Sequence, residues 1–340
     1  MTRWADEVGD WDVFVATNRG WFAAPGDPAA ANAVLEEVQY GRCAVSIPQQ
    51  QRGTEVKLAS DRKGSGGEES LANVESTALS TDEFLAGVND QLERSRQRDL
   101  LLFVHGFNVR FDAAVTRAAQ LGRDISFNGA IVAYCWPTQG GVLSYDEDEP
   151  INAASVEPFT EFLHTLRSGI PASTKMQIVV HSMGNRIVMD ALDRLPPPKR
   201  GKPFANVVLC SPDVGRSDYL KWAPGVVEQC ERVTLYANQS DSALIVSKGL
   251  HAEPRAGDAE YLIVTDGIET IDCSRIDLSF MGHSYYGSNS DMLTDLFQLL
   301  KEDKSASERP HLTKEKSKNG PYWEFARTAG SMRYAWHFEE

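Results

Sequence analysis

The stretch "MQIVVHSMGNRIVMDALDRL" (Met176–Leu195) restricts the fold more than any other part of the chain. Its first third is an apolar run of strand length. The remainder carries apolar residues at helical spacing and stops before the prolines at 196–198. A strand that passes into a helix within a few residues, with a serine at the junction, is the local setting of a nucleophile elbow. Ser182 stands at that junction and Gly184 follows it, but Val180 occupies the place where the strict motif has a small residue. The same serine could instead be a plain helix N-cap.

The alternation extends over the whole chain. Strand-length runs occur at "DVFVAT" (Asp12–Thr17), "CAVSIP" (Cys43–Pro48), "LLLFVHGF" (Leu100–Phe107) and "AIVAYCWP" (Ala130–Pro137). They continue at "MQIVVHS", "ANVVLCSP" (Ala205–Pro212), "RVTLYAN" (Arg232–Asn238) and "ETIDCS" (Glu269–Ser274). Several are continuous Val/Ile/Leu runs, the pattern of strands buried on both faces. Helical patterns lie between them: "TDEFLAGVNDQLERS" with Thr81 as its N-cap, "RFDAAVTRAAQLGRD", "VEPFTEFLHTLRSG" ending on Gly169, the segment after Ser182, and "SDMLTDLFQLLKED". Such alternation predicts an α/β fold with a mostly parallel central sheet and helices on both faces. "ASDRKGSGGEESLANVEST" (Ala59–Thr77) reads as a surface loop between an N-terminal strand pair and the main sheet. The expected organisation is one domain over 1–300, with 1–80 an N-terminal strand extension. The 301–340 tail packs on this domain through the aromatics of "GPYWEF" and "MRYAWHF".

Hydrophobic residues make up 42% of the 340, enough for a large core. The net charge of −14 opposes binding to phosphate backbones, and the short basic runs at Lys199–Arg200 and Lys314–Lys316 read as solvated loops, so no nucleic-acid partner is expected. No run approaches the roughly 18 apolar residues of a membrane span. The N-terminus has no apolar signal core. A cytoplasmic location is the expectation. The five cysteines, Cys43, Cys135, Cys210, Cys230 and Cys273, form no CxxC pair and read as small buried hydrophobes in a reducing compartment.

Ligands of open parallel sheets collect at the carboxyl ends of the strands. "HGFN" (His105–Asn108) ends one strand there; the backbone amide of Phe107, with that of Met183 after the serine, makes a candidate oxyanion hole. His105 reads as a structural hydrogen-bonder. Two strand ends offer carboxylates, Asp241 in "YANQSDSAL" and Asp213 in "LCSPDVG". The layout favours Asp241 as the triad acid, with Asp213 the alternative, able equally to hold a loop. His283 in "SFMGHSYYGSN" lies in a loop after the last strand, where a general base is needed; His164, His251, His311 and His337 are less well placed. The order Ser182, Asp241, His283 is that of α/β-hydrolases and differs from both unrelated protease orders.

Together "ATNRG", "VSIP", "FVHGFNV", "WPTQG", "VVHSMGN", "LCSPDV", "YANQSDSAL" and "GHSYY" resemble a bacterial α/β-hydrolase family of unknown function within the esterase/lipase superfamily. The match runs from about Asp12 to the helix near Leu300. The resemblance implies the α/β-hydrolase fold and a serine-hydrolase site, with Ser182, Asp241 and His283 in the triad roles and Phe107 and Met183 as oxyanion donors. It also implies tolerance of Ala or Val where the strict motif has Gly, so Val180 is compatible with a working site.

The expected activity is cleavage of a small-molecule carboxylic ester of short or medium acyl length, needing no metal or organic cofactor. Thioesterase, peptidase or acyltransferase chemistry on the same site is the alternative, as is a non-catalytic binding or scaffold protein of the same fold. "VGRSDYLKWAPGVVEQCE" has room for one short helix and no cap domain. Trp136, Tyr145 and Tyr285, with Phe107 and Met183, are expected pocket walls, with strand-end packing an equal reading for Trp136. "SYDEDEP" (Ser144–Pro150) would flank the mouth and disfavour anionic substrates.

Overall fold

A computed structural model describes residues 9–22, 31–47, 73–139, 144–239, 253–276 and 290–326. These form one eleven-stranded sheet in the order β10-β11-β9-β8-β7-β6-β4-β5-β1-β2-β3. The strands are β1 (Gly9–Arg19), β2 (Val34–Ile47), β3 (Asn73–Leu79), β4 (Asp99–Val104), β5 (Gly129–Tyr134), β6 (Lys175–His181), β7 (Phe204–Cys210), β8 (Cys230–Ala237), β9 (Ile268–Asp272), β10 (Leu312–Ser317) and β11 (Gly320–Phe325). From β1 through β5, β4, β6, β7, β8 and β9 to β11 every pairing is parallel. β2, β3 and β10 add antiparallel pairings at the two flanks. The helices are α1 (Thr81–Arg94), α2 (Phe111–Asp124), α3 (Tyr145–Ala154), α4 (Val156–Gly169), α5 (Gly184–Arg194), α6 (Arg216–Gln229) and α7 (Ser290–Leu300).

The continuous apolar runs are explained by two cores, one on each face of the sheet. Along β6, Ile178 and Val180 join the core of Phe84, Phe159, Phe162, Ile187 and Tyr219, which underlies α1, α4, α5 and α6. Val179, between them, joins the opposite core of Phe111, Val115, Met292 and Leu296 under α2 and α7. Period-2 geometry sends neighbouring side chains to opposite faces, so a strand covered on both sides must be apolar at every step. All five cysteines are free and buried within this body. Among the described residues, no helix is long and apolar enough to cross a membrane.

Three strands escaped the sequence reading. β3 replaces the last part of the expected loop at 59–77, β10 falls in the polar part of the tail, and β11 is the tail's "GPYWEF" segment. β3 and β10 are mostly exposed flanking strands, so neither needs an apolar face. β11 pairs with β9 and extends the parallel sheet. β2 is also longer than its apolar part. The α1 cap is Ser80, not Thr81. Its hydroxyl accepts from the Glu83 amide at 3.3 Å while the Glu83 carboxylate accepts from the Ser80 amide at 2.8 Å, a reciprocal capping box. Between β7 and β8 stands only the 14-residue α6, leaving no inserted cap at that point.

Candidate active site

Ser182 follows β6 directly and precedes α5, at the carboxyl end of the parallel sheet. Its φ is +50°, a left-handed conformation that costs an L-residue with a Cβ roughly 1–2 kcal/mol. The turn is fixed on both sides. The Ser182 amide donates to the Cys210 carbonyl at 3.0 Å, and the Ser182 carbonyl accepts from the Asp213 amide at 3.2 Å.

The close approaches that demand glycine lie at Gly106 and Gly184 rather than at position 180. A Cβ on Gly106 would meet the Ser182 Cβ at 2.8 Å and His181 Nδ1 at 2.9 Å, and one on Gly184 would meet the His105 carbonyl oxygen at 2.3 Å. Val180 points away from this crowding into the helix-side core with Val104, Leu209 and Ile187, where a β-branched residue fills space. The elbow therefore forms with valine in place.

Phe107 and Met183 flank the serine from β4 and α5. Among the described residues, neither of their amides donates to a backbone carbonyl. The Phe107 loop is gripped from several directions. His105 Nδ1 lies 2.8 Å from the Gly106 carbonyl, which fixes that nitrogen as the donor. Burial and the nearby Arg19 hold the imidazole pKa down at about 3, so it is neutral. This is the structural role expected of it.

Trp136 is fully buried, stacks on His105 with ring centroids 5.3 Å apart and donates from its indole to the His105 carbonyl at 2.8 Å. It is strand-end packing and presents no surface as a pocket wall. Tyr145 is also buried rather than open to a ligand. Its ring lies 5.3 Å from that of Phe107 and its hydroxyl donates to Asp213 Oδ2 at 2.5 Å.

Two buried charges that the sequence reading did not single out hold the same loops. Arg19 donates to the carbonyls of Trp136 at 2.7 Å and Val109 at 3.0 Å, tying the segments after β5 and β4 together. Burial lowers its pKa to about 10. Asp148 of α3 accepts from the amides of Gln139, at 2.8 Å, and Asn108. The "SYDEDEP" segment is thus a helix start rather than an acidic rim. Asp146 and Glu147 are exposed, Asp148 is buried, and Glu149 pairs with Arg186 at 2.7 Å. No pattern in one sequence separates a buried Asp or Arg from its exposed neighbours.

Burial raises the Asp148 pKa to about 6, against the pull of the two amides and Arg19, with Glu147 adding to the rise. The unfolded value is about 4, so the native state binds this proton more tightly. Ionised Asp148 therefore costs stability, a cost absent below about pH 4 and complete above about pH 6, reaching roughly 2–3 kcal/mol. Asp148→Asn is expected to be more stable than the wild type at pH 8, with the difference vanishing at pH 4. Melting temperatures of both proteins across that range test it.

Asp213 is held by charge. Arg255 Nε lies 3.1 Å from its Oδ1, Arg186 Nη2 3.4 Å from its Oδ2, and Arg186 Nε donates to its carbonyl at 2.6 Å. Backbone bonds from Ala256 to Val214 and from Gly257 to Pro212 lay the 253–258 segment along the same loop. Asp241, His283 and Tyr285 lie outside the described residues.

Residues 80–302 match the family model described as "Alpha/beta hydrolase of unknown function (DUF900)". The chain belongs to this family. The sheet order, the elbow and the flanking helices are those of an α/β hydrolase. Among proteins with curated descriptions, none matches. Solved structures with some likeness include phospholipase PlaB from Legionella pneumophila in complex with thio-NAD, at 12% identity over 67% of each chain with a TM-score of 0.29. Another is an inhibited esterase B from Lactobacillus rhamnosis, at 13% identity over 89% of this chain and 92% of that one, with a TM-score of 0.34.

Proposed function

We propose that this protein is a serine hydrolase that cleaves carboxylic esters of short or medium acyl length. The observation that carries this reading is Ser182, held at φ +50° on a strand-to-helix turn at the carboxyl end of the sheet. Strain at a non-glycine residue persists only where its surroundings over-determine it, and it clusters at functional sites.

In this reading His283 takes the proton from the Ser182 hydroxyl as the oxygen attacks the ester carbonyl. Asp241 orients the imidazole and stabilises its charged form. The developing oxyanion is bound by the amides of Phe107 and Met183, each worth about 3 kcal/mol in comparable sites. Collapse of the tetrahedral intermediate breaks the bond to the alcohol, which leaves with the proton from His283. A water activated by the same imidazole then hydrolyses the acyl-enzyme. Asp241 is preferred to Asp213 because the Asp213 carboxylate already serves Arg255, Arg186 and Tyr145 and so acts as a loop anchor.

A fluorophosphonate probe tests the reading. The folded wild type is expected to gain one adduct, seen by mass, and to turn over p-nitrophenyl butyrate. Ser182→Ala is expected to do neither. A folded wild type that stays unlabelled would sink the proposal.

A further inference from the structure

An oxyanion donor is only as good as the aim of its peptide plane. In a trans peptide the N–H points opposite to the carbonyl of the preceding residue. The Met183 amide is therefore aimed by whatever holds the Ser182 carbonyl. That carbonyl accepts from Asn185 Nδ2 at 2.8 Å, besides the Asp213 and Asn185 amides. The next carbonyl, of Met183 itself, accepts from Asn152 Nδ2 of α3 at 3.1 Å. The two peptide planes that meet at the Met183 Cα are thus each held by a buried asparagine side chain, Asn185 with no exposed surface and Asn152 with 1%.

Neither asparagine is at an ordinary helix position. Asn185 lies in the first turn of α5, but its side chain turns back to the elbow rather than capping the helix, and its Nδ2 also lies 3.4 Å from the Cys210 carbonyl at the end of β7. Asn152 lies one turn beyond Asp148 on the buried face of α3, the face that also carries Tyr145. One face of α3 therefore reaches both sides of the oxyanion hole: Asp148 holds the Asn108 amide beside Phe107, and Asn152 holds Met183. A buried amide that must donate to a carbonyl is a costly way to fill space unless the direction of that carbonyl matters.

We infer that Asn185 and Asn152 are positioning residues for the oxyanion hole: Asn185 aims the Met183 amide toward the place where the substrate carbonyl acquires its negative charge, and Asn152, through the Met183 carbonyl, fixes the next peptide plane at the same Cα. The inference rests on the serine-hydrolase reading of Ser182 and adds two residues to it. Neither asparagine touches substrate. Their effect belongs to the transition state, where the charge develops, and not to substrate binding.

The test uses the full chain, p-nitrophenyl butyrate as substrate and an alkyl trifluoromethyl ketone, which forms a tetrahedral adduct with a catalytic serine. Asn185→Leu and Asn152→Leu remove the donors, and Asn185→Asp keeps the shape of the side chain while placing a carboxylate against the Ser182 carbonyl. Rates are counted per serine titrated by fluorophosphonate, so a fraction of unfolded protein does not enter them. Each variant is expected to lose about tenfold to a hundredfold in kcat, the scale of a displaced catalytic group, with KM within about twofold. The ketone inhibition constant should rise by the same factor as kcat/KM falls. A purely structural role would lower the melting temperature and leave kcat and ketone affinity per titrated serine unchanged, which would overturn the inference. An unlabelled wild type would overturn the Ser182 reading and this inference together; a labelled wild type with unchanged variants overturns this inference alone.

Discussion

Ser182→Gly is expected to abolish turnover and to make the protein more stable. The two effects have one cause. At φ +50° a Cβ crowds the following carbonyl, at a cost of roughly 1–2 kcal/mol that glycine does not bear. Glycine also adds freedom to the unfolded chain, which takes back about 0.5–1 kcal/mol. The net gain lies between about 0 and 1.5 kcal/mol, centred near 0.7 kcal/mol, and is read as a higher denaturant midpoint with an unchanged slope. Ser182→Ala keeps the Cβ, and with it the strain, so its stability should stay near that of the wild type. In the serine-hydrolase reading proposed above both variants lose the nucleophile, and kcat should fall by roughly 10⁶-fold, as in triad knock-outs of serine proteases. A glycine variant less stable than the alanine variant would show that the elbow stores no strain.

Most of the sheet was legible because buried parallel strands must be apolar on both faces, and "MQIVV", "ANVVLC" and "LLLFV" could be little else. The elbow was legible for a different reason: a serine caught between such a strand and a helix has few structural alternatives. β3 and β10 were not legible, because strands that lie mostly in solvent carry no apolar pattern. The packing of the site was hidden more deeply. Arg19, Asp148, Asn152 and Asn185 are recognisable only once the chain has placed carbonyls and amides of distant segments around them. Trp136, for which pocket wall and strand-end packing were equal readings, and Tyr145, read as a wall, were obscure for the same reason. An aromatic near a site suggests a wall, and only its hydrogen-bond partner shows that its polar end is already engaged.

Arg309→Met is expected to destabilise the protein by about 3–5 kcal/mol, the range found when one partner of a buried ion pair is removed. Asp295 on α7 and the Arg309 side chain are both without exposed surface, and Arg309 Nη1 lies 2.6 Å from Asp295 Oδ2. The same carboxylate accepts from the Tyr236 hydroxyl of β8, and its Oδ1 lies 2.6 Å from His311 Nε2. Arg309 also reaches Glu269 of β9 at 3.0 Å. One guanidinium thus joins α7, β8 and β9 to the segment that leads into β10. With methionine there, Asp295 keeps its place but loses its fixed cation, and a buried carboxylate without that charge is what makes the change expensive. Removing the carboxylate as well should recover much of the loss, because the penalty belongs to the orphaned charge and not to a missing contact. Asp295→Leu with Arg309→Met should therefore be more stable than the sum of the single changes by well over 1 kcal/mol, measured by denaturant unfolding of all four proteins. Strict additivity would mean that the two side chains act independently, and that the C-terminal segment is held by the β9–β11 pairing and its apolar contacts instead.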